Sequence, residues 1–135
     1  MYIDHQMLLS DEQALVATAA STNVVNLSAA RKFFGGKPLF VVVCVDVAFT
    51  TATSYEIQVC TDVDGTIDGS STVQITTGAI AIASLTIARS PIVIPIGAVL
   101  GTEQQYLGLY YIEAGSTEET GTVTAFITAD PQTNV

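Results

Sequence analysis

The sequence alternates about nine short segments rich in Val, Ile and Thr with clusters of Gly, Pro, Asp and Ser, at spacings near ten residues. Branched side chains at Cβ suit pleated strands, and none of the segments has convincing helical periodicity. Without helices to make parallel crossovers, such strands form two packed antiparallel sheets. The pattern therefore predicts an all-β protein with a jelly-roll or Greek-key β-sandwich.

Two neighbouring segments carry the strongest strand signals. In "KPLFVVVCVDVAF" (37–49) both faces are apolar for most of the length, so we expect a strand that is covered on both sides. In "TSYEIQVCT" (53–61) apolar and polar residues alternate, which places one face in water. We expect the two strands to be neighbours, so that Cys44 and Cys60 could lie close together; free thiols are the default in a reducing compartment, and a disulfide is the alternative.

The other predicted strands have weaker individual patterns. A single helical turn is expected near "LSAARKFF" (27–34). The remaining segments are "QALVATAA" (13–20), "STNVVNLS" (21–28), "STVQITT" (71–77), "AIAIASLTIA" (79–88), "PIVIPI" (91–96), "QYLGLYYIEA" (105–114) and "GTVTAFITA" (121–129).

The chain length of 135 residues suits one domain, 1–135, with 1–9 as a possible N-terminal arm and 130–135 as a C-terminal tail. The longest apolar stretch, 79–100, contains Arg89, Pro91 and Pro95, so it fits strands and a corner better than a membrane span. The N-terminus has no basic stretch before an apolar run, so we expect no secretory signal and assembly in a cytoplasm. No membrane partner is expected.

The net charge of −9 disfavours nucleic acid as a partner, because a polyanion would be repelled over most of the surface. Three of the four basic residues lie in "ARKFFGGK" (30–37), beside two Phe. We interpret this basic loop, together with the N-terminal arm, as a candidate protein contact; the alternative is that both Phe are core and the arm pairs within its own sheet. The candidate contact residues are Arg31, Lys32, Phe33, Phe34, Lys37, Met1, Tyr2, Ile3, Met7, Leu8 and Leu9.

The segment "CTDVDGTIDGSS" (60–71) contains Asp62, Asp64 and Asp68, a composition that raises the question of a calcium site. Counted from Asp62, an EF-hand loop needs Gly at its sixth position and Glu at its twelfth, where this chain has Ile67 and Val73. We therefore predict a turn, with no metal and no cofactor.

Catalytic motifs do not emerge from the sequence either. The chain has one His, His5, with no nucleophile elbow and no Cys near it in sequence. There is also no Trp to hold a sugar ring beside a pair of carboxylates. We expect a protein that is not an enzyme.

Four blocks of the sequence resemble the capsid cement (decoration) protein family of tailed bacteriophages, typified by the Bordetella phage cement protein. They are "MYIDHQMLLSDEQALVATAASTNVVNL" (1–27), "GGKPLFVVVCV" (35–45), "IQVCTDVDGTI" (57–67) and "QYLGLYYIEAGSTEETGTVTAFIT" (105–128). Their order and spacing cover nearly the whole chain, whereas 71–104 matches only in general character.

The resemblance implies a jelly-roll structural protein of the virion that is assembled in the host cytoplasm. It would lie on the outer surface of an icosahedral head, bridge major capsid protein subunits and stabilise the shell. We expect it to form a homodimer, with a trimer as the alternative, because an apolar sandwich has strand edges that need covering.

Two other functions stay open from the sequence. One is a carbohydrate-binding jelly-roll module of a phage fibre or surface protein, for which Tyr106, Tyr110 and Tyr111 would supply the aromatic platform. The other is a different head or tail structural protein.

Overall fold

The computed structural model of the protein describes residues 4–31, 38–96 and 104–131. The described residues form nine β-strands and two short 3-10 turns. The turns are His5–Met7 and Ile82–Ser84; the strands are β1 (Leu8–Ala14), β2 (Ala19–Ala20), β3 (Val25–Arg31), β4 (Leu39–Val47), β5 (Ser54–Asp62), β6 (Thr72–Ala81), β7 (Ile92–Ile96), β8 (Gln104–Ala114) and β9 (Thr122–Thr128).

The strands form two antiparallel sheets. Sheet A has the order β1-β9-β4-β7, and sheet B has the order β2-β8-β5-β6, with β3 also paired with β8. Counted outward from the β5–β6 hairpin, β4 pairs with β7, β2 and β3 pair with β8, and β1 pairs with β9. Such nested pairing is one long hairpin wrapped into two sheets, so the predicted jelly-roll sandwich is confirmed.

The core lies between the two sheets and follows the strand alternation. Val41, Val43 and Val45 of β4 face Tyr55 and Ile57 of β5 across it, all of them buried. A small cavity of about 10 Å³ lined by core residues such as Val43, Tyr55 and Tyr111 is about the size of one water molecule, as is usual for a well-packed core. Burying these side chains is the main source of stability for the sandwich.

The prediction that β4 and β5 are neighbouring strands of one sheet is wrong. β4 lies in sheet A and β5 in sheet B, so they face each other across the core instead of pairing. Cys44 and Cys60 therefore belong to different sheets, and both are free thiols. The connection 48–53 carries the chain between sheets, and the alternation of apolar residues alone does not say which sheet the next strand joins.

Three local expectations also need correction. Residues 27–31 of the expected helical turn belong to β3, because this segment pairs with β8. Only the two ends of 13–20 are strand, in β1 and β2. Strand β6 joins two predicted segments through Gly78, whose φ of +67° allows a bulge, and the chain leaves the sheet after Ala81.

Candidate docking surface

The N-terminal segment and the residues that follow the basic loop lie at one end of sheet A, on either side of β9. Leu8 of β1 pairs with Phe126, and Phe40 of β4 pairs with Thr128. Leu39, the first residue of β4, pairs with Ile96 at the end of β7. The fold therefore places the segment that precedes β1 and the start of β4 at the same end of sheet A.

An open cavity of about 250 Å³ lies at this end. Its lining residues are Asp4, Met7, Leu39, Ile127, Thr128 and Ala129. Asp4 orders the entry to β1, since its carboxylate accepts a hydrogen bond from the Gln6 amide at 3.0 Å and its carbonyl accepts one from the Met7 amide at 2.9 Å. We call this end of the sandwich, from Asp4–Met7 to Leu39 and Ile127–Ala129, the docking end.

The described part of the predicted arm is mostly integrated into the sandwich. Leu9 is fully buried in the core, so its side chain is not available to a partner, and we remove it from the predicted contact. Leu8 is half-buried in β1, and Met7 is partly buried against the core. The arm thus ends before Leu8, where pairing with β9 begins.

Among the basic-loop residues, Arg31 is the last residue of β3 and pairs with Gln104. Seven of the predicted contact residues lie outside the described residues, and their role stays a prediction. They are Met1, Tyr2, Ile3, Lys32, Phe33, Phe34 and Lys37. Of the predicted C-terminal tail, 132–135 also lies outside.

The aspartate loop between β5 and β6 is a series of side-chain turns. The Asp64 carboxylate accepts a hydrogen bond from the Thr66 amide at 2.8 Å, and the Asp68 carboxylate accepts one from the Ser70 amide at 2.7 Å. Asp62 accepts one from the Val63 amide at 2.7 Å. The carboxylates thus accept hydrogen bonds from backbone amides of the same loop, which is the arrangement expected of a turn.

An apolar anchor, Ile67, holds this loop against the outer face of sheet B. Ile67 is buried, and a Cβ added to Gly108 of β8 would lie 2.8 Å from its Cγ1. Only a glycine at this position allows such a close approach. Cys60 lies opposite Gly108 in the ladder and is fully buried, and burial together with the Asp62 charge raises the pKa of its thiol to about 11. The loop therefore covers the thiol and keeps it protonated.

The three tyrosines considered for a sugar platform do not share a face. Tyr111 points into the core, is fully buried, and lies 2.9 Å from the Ser10 hydroxyl. Tyr106 and Tyr110 are half-buried on the outer side of sheet B, and Ile67 occupies the space above Gly108 between them. No open aromatic platform forms from these residues.

At the far end of the sandwich, a buried carboxylate joins two loops. Glu118, in the β8–β9 connection, is 1% exposed and accepts hydrogen bonds from the amides of Thr50, Thr51 and Ala52 at 2.9–3.2 Å. Burial raises its pKa, but the amide donors of Ala52, Thr50, Thr51 and Thr120 outweigh this and lower it to about 2. Glu118 thus clamps the β4–β5 connection.

Three further observations concern the described residues. Among them, no three His, Cys, Asp or Glu side chains are grouped so that they could hold a metal ion. His5 lies exposed in the first 3-10 turn. The helical turns in the described part of the chain are too short to cross a membrane.

One comparison with known proteins gives a family. The family model Bbp16 matches residues 9–127, which is most of the chain and includes all of the described strands except the first residue of β1 and the last residue of β9. No curated protein matches the chain.

Proposed function

The chain belongs to the Bbp16 family, whose name is that of a Bordetella phage protein, and from this membership we propose that it is a capsid cement protein. In this role it binds the outer surface of an icosahedral phage head and bridges neighbouring major capsid protein subunits. The observation that carries the proposal is the family match over 9–127, together with the sequence blocks that resemble phage cement proteins.

The charge of the chain supports a position outside the head. With a net charge of −9, the protein is repelled by packaged DNA, whereas an exterior site exposes it only to protein and solvent. The tightly packed sandwich also suits a structural role, because it presents loops and strand ends from a rigid scaffold.

The docking end is the proposed capsid contact. Met7 and Leu39 line an open cavity there, and Leu39, the first residue of β4, follows the basic loop closely in sequence. A strongly acidic protein gains from placing its few cations at a protein contact, where they steer the encounter and fix the register. We assign the apolar part of the contact to the cavity and the charged part to Arg31, Lys32 and Lys37.

Stabilisation of the head would come from multivalency. One contact of modest size binds weakly, but a protein that engages two capsid subunits makes the second contact intramolecular, which raises avidity by orders of magnitude. Preferential binding to the mature lattice then stabilises that lattice by mass action. We propose a homodimer as the bridging unit, with a trimer as the alternative.

The test is reconstitution of purified heads that lack this protein. The wild type is mixed with heads, and occupancy is measured after sedimentation; the Lys32→Glu variant is expected to lower occupancy at least about tenfold. Arg89→Glu is the matched control, because Arg89 is exposed in the β6–β7 connection at the other end of the sandwich and the charge change is the same.

The arm is tested with a variant in which Met1 is joined directly to Asp4. This deletion keeps the Asp4 turn and the buried Leu9, so that the sandwich itself is preserved. Equal occupancy for the wild type, this deletion and Lys32→Glu, with all of them folded, would remove the docking-end assignment. If the wild type binds no mature head, or binds only tails, the cement role itself is wrong.

A further inference from the structure

Both edges of sheet A carry features that hinder pairing with another strand. At the β7 edge, Pro95 has no amide proton to donate. At the β1 edge, the pairing with β9 shifts register between Ser10 and Gln13, and Glu12 in this bulge has a φ of +43°. Bulges and prolines are the usual means by which natural sheets avoid edge-to-edge association.

Sheet B has similar edges. β6 shifts register against β5 twice, once beside Gly78, and the Thr77 hydroxyl replaces a backbone acceptor for the Ile57 amide at 3.1 Å. On the opposite edge, β2 has only two residues, and β3 is irregular where Ser28 has a φ of +67°. Continuation of either sheet into a second copy is therefore disfavoured, so these edges do not supply the reason for a dimer that the sequence suggested. Among the described parts of the two sheets, a face is the alternative.

The outer faces of the two sheets differ in charge. Sheet A presents the exposed acids Asp11 and Glu12 of β1 and the half-buried Asp46 of β4, whose carboxylate accepts a 2.6 Å hydrogen bond from Thr124. A second copy of a protein with net charge −9 would meet like charge there.

The outer face of sheet B is charge-poor in the half that the aspartate loop leaves open. We call it the charge-poor face and define it by Gln58, Thr76, Ala79, Tyr110, Ile112 and Ala114. Thr76, Ala79 and Ala114 are exposed, and the others are half-buried. A low content of charged residues and the presence of Tyr are typical of the centre of protein interfaces.

Glu56 of β5 lies between Ala79 and Ile112 in the sheet and is the one charged residue that the structure describes beside this face. Its Oε1 accepts hydrogen bonds from the Thr76 hydroxyl at 2.6 Å and from the Gln58 side-chain amide at 2.9 Å. The Thr76 and Gln58 hydrogen bonds lower the pKa of Glu56, so it is ionised at neutral pH. The single negative charge at this face thus already accepts hydrogen bonds from Thr76 and Gln58 of the same chain.

We propose that the charge-poor face is a self-contact, in which it packs against the same face of a second copy. This inference rests on the proposed cement function and names the surface through which two copies meet. Of the two sheet faces, this is the one on which two acidic chains approach with the least repulsion, and the irregular edges of the described strands favour a face over an edge.

The size of the face sets the strength of the contact. With strands about 4.8 Å apart and residues about 3.3 Å apart along them, three strands and five residues cover roughly 240 Å². Stable complexes bury about 800 Å² per partner. The contact is therefore weak in free solution, and binding to the capsid lattice strengthens it by raising the effective concentration.

The test measures self-association of the free protein by sedimentation equilibrium from micromolar to millimolar concentration. Glu56→Gln removes the charge but keeps an acceptor oxygen for Thr76 and Gln58, and it should tighten association about three- to tenfold. Ala79→Glu adds a charge to the face and should weaken association at least about tenfold. Ala88→Glu, an exposed alanine in the β6–β7 connection, is the matched control and should resemble the wild type.

The inference is overturned if the wild type stays monomeric at millimolar concentration, or if Glu56→Gln and Ala79→Glu change association no more than Ala88→Glu does. Head occupancy of the wild type, measured in parallel, separates the two proposals. If the wild type binds heads but neither Glu56→Gln nor Ala79→Glu changes self-association, the cement role stands and the proposed self-contact is wrong.

Discussion

Replacement of Glu118 by Gln is expected to weaken the end of the sandwich opposite the docking end. Glu118 Oε1 accepts hydrogen bonds from the amides of Thr50 and Thr120, and Oε2 accepts them from Thr51 and Ala52 at 3.0 and 2.9 Å. A glutamine oxygen can take over the Oε1 position. Its NH₂ group would then face the Thr51 and Ala52 amides, donor against donor, in a buried site.

Two routes give the size of this effect. The buried Ala52 amide loses its acceptor, and the Thr51 amide, which keeps a 3.2 Å contact with the Oε1 position, faces a donor; together these changes cost about 1–3 kcal/mol. Independently, a folded-state pKa of about 2, against about 4.3 in the unfolded chain, corresponds to about 3 kcal/mol as an upper limit, which screening at a loop junction reduces. Both routes give about 2 kcal/mol, or a Tm that is lower by roughly 6–10 °C for a chain of this size.

The pH dependence provides a second, independent readout of Glu118. Because its pKa is lowered by folding, its contribution is fully present above about pH 5 and is lost as the pH falls towards 2. Tm measured by calorimetry should therefore differ most between wild type and Glu118→Gln at neutral pH, and the difference should shrink in acid. Glu119→Gln, at an exposed neighbour, is the control. A neutral-pH Tm within about 2 °C of the wild type, or a difference that is constant down to acid pH, would refute the reasoning.

Two further predictions concern the aspartate loop. In a Cys44→Ser background, Ile67→Ala should raise the rate at which a thiol reagent labels Cys60 at least about tenfold, because Ile67 holds the loop over the buried thiol; equal rates would show that the loop is not the cover. Asp62→Asn with Asp64→Asn should change Tm by less than about 2 °C with or without calcium, since Asn supplies the same acceptor oxygen for the turns. A calcium-dependent rise in wild-type Tm that the double variant lacks would instead establish a metal site.

Local alternation predicted the strands in which one face meets water. Tyr55, Ile57 and Val59 face the core, as their spacing in β5 indicates, and Leu107 and Leu109 do so in β8. In these strands burial alone decides which side chains turn inward. The sheet assignment of β4 and β5 was missed, because it depends on how the whole hairpin wraps and not on either segment.

The first strand was predicted within 13–20, whereas β1 begins at Leu8, and the reason for this error is different. Its residues Leu8–Ala14 include the polar run Ser10–Gln13, which has no strand pattern of its own. Ser10 is nevertheless fully buried, because its hydroxyl lies within hydrogen-bond distance of Tyr111 and Gln13. A buried hydroxyl satisfied by a residue 101 positions away leaves no local signal.

The same limit applies to Glu118, whose amide partners in 50–52 precede it by 66–68 residues. From the sequence, a glutamate in a loop between two strands is expected to be a solvated side chain. Glu118 contacts the β4–β5 connection only because the long hairpin wraps into two sheets. The contact of the basic loop and the N-terminal arm, by contrast, was inferred from charge and apolar composition, and it stays a prediction. The structure added that Met7 and Leu39 meet beside β9.

The separation of the two ends leads to one more expectation for the proposed cement role. Glu118 clamps loops at the far end, whereas the docking end lies where β1 and β4 begin and β9 finishes. Glu118→Gln should therefore bind heads with wild-type occupancy at 25 °C, where it is still folded, because the sheets between the ends are tightly packed. On heating, it should leave the heads at a temperature lower by about the same roughly 6–10 °C as its own Tm. Occupancy is measured by sedimentation and folding by circular dichroism on the same samples. A folded Glu118→Gln variant that fails to bind heads would mean that the capsid contact includes the clamped end, and the docking-end assignment would have to be abandoned.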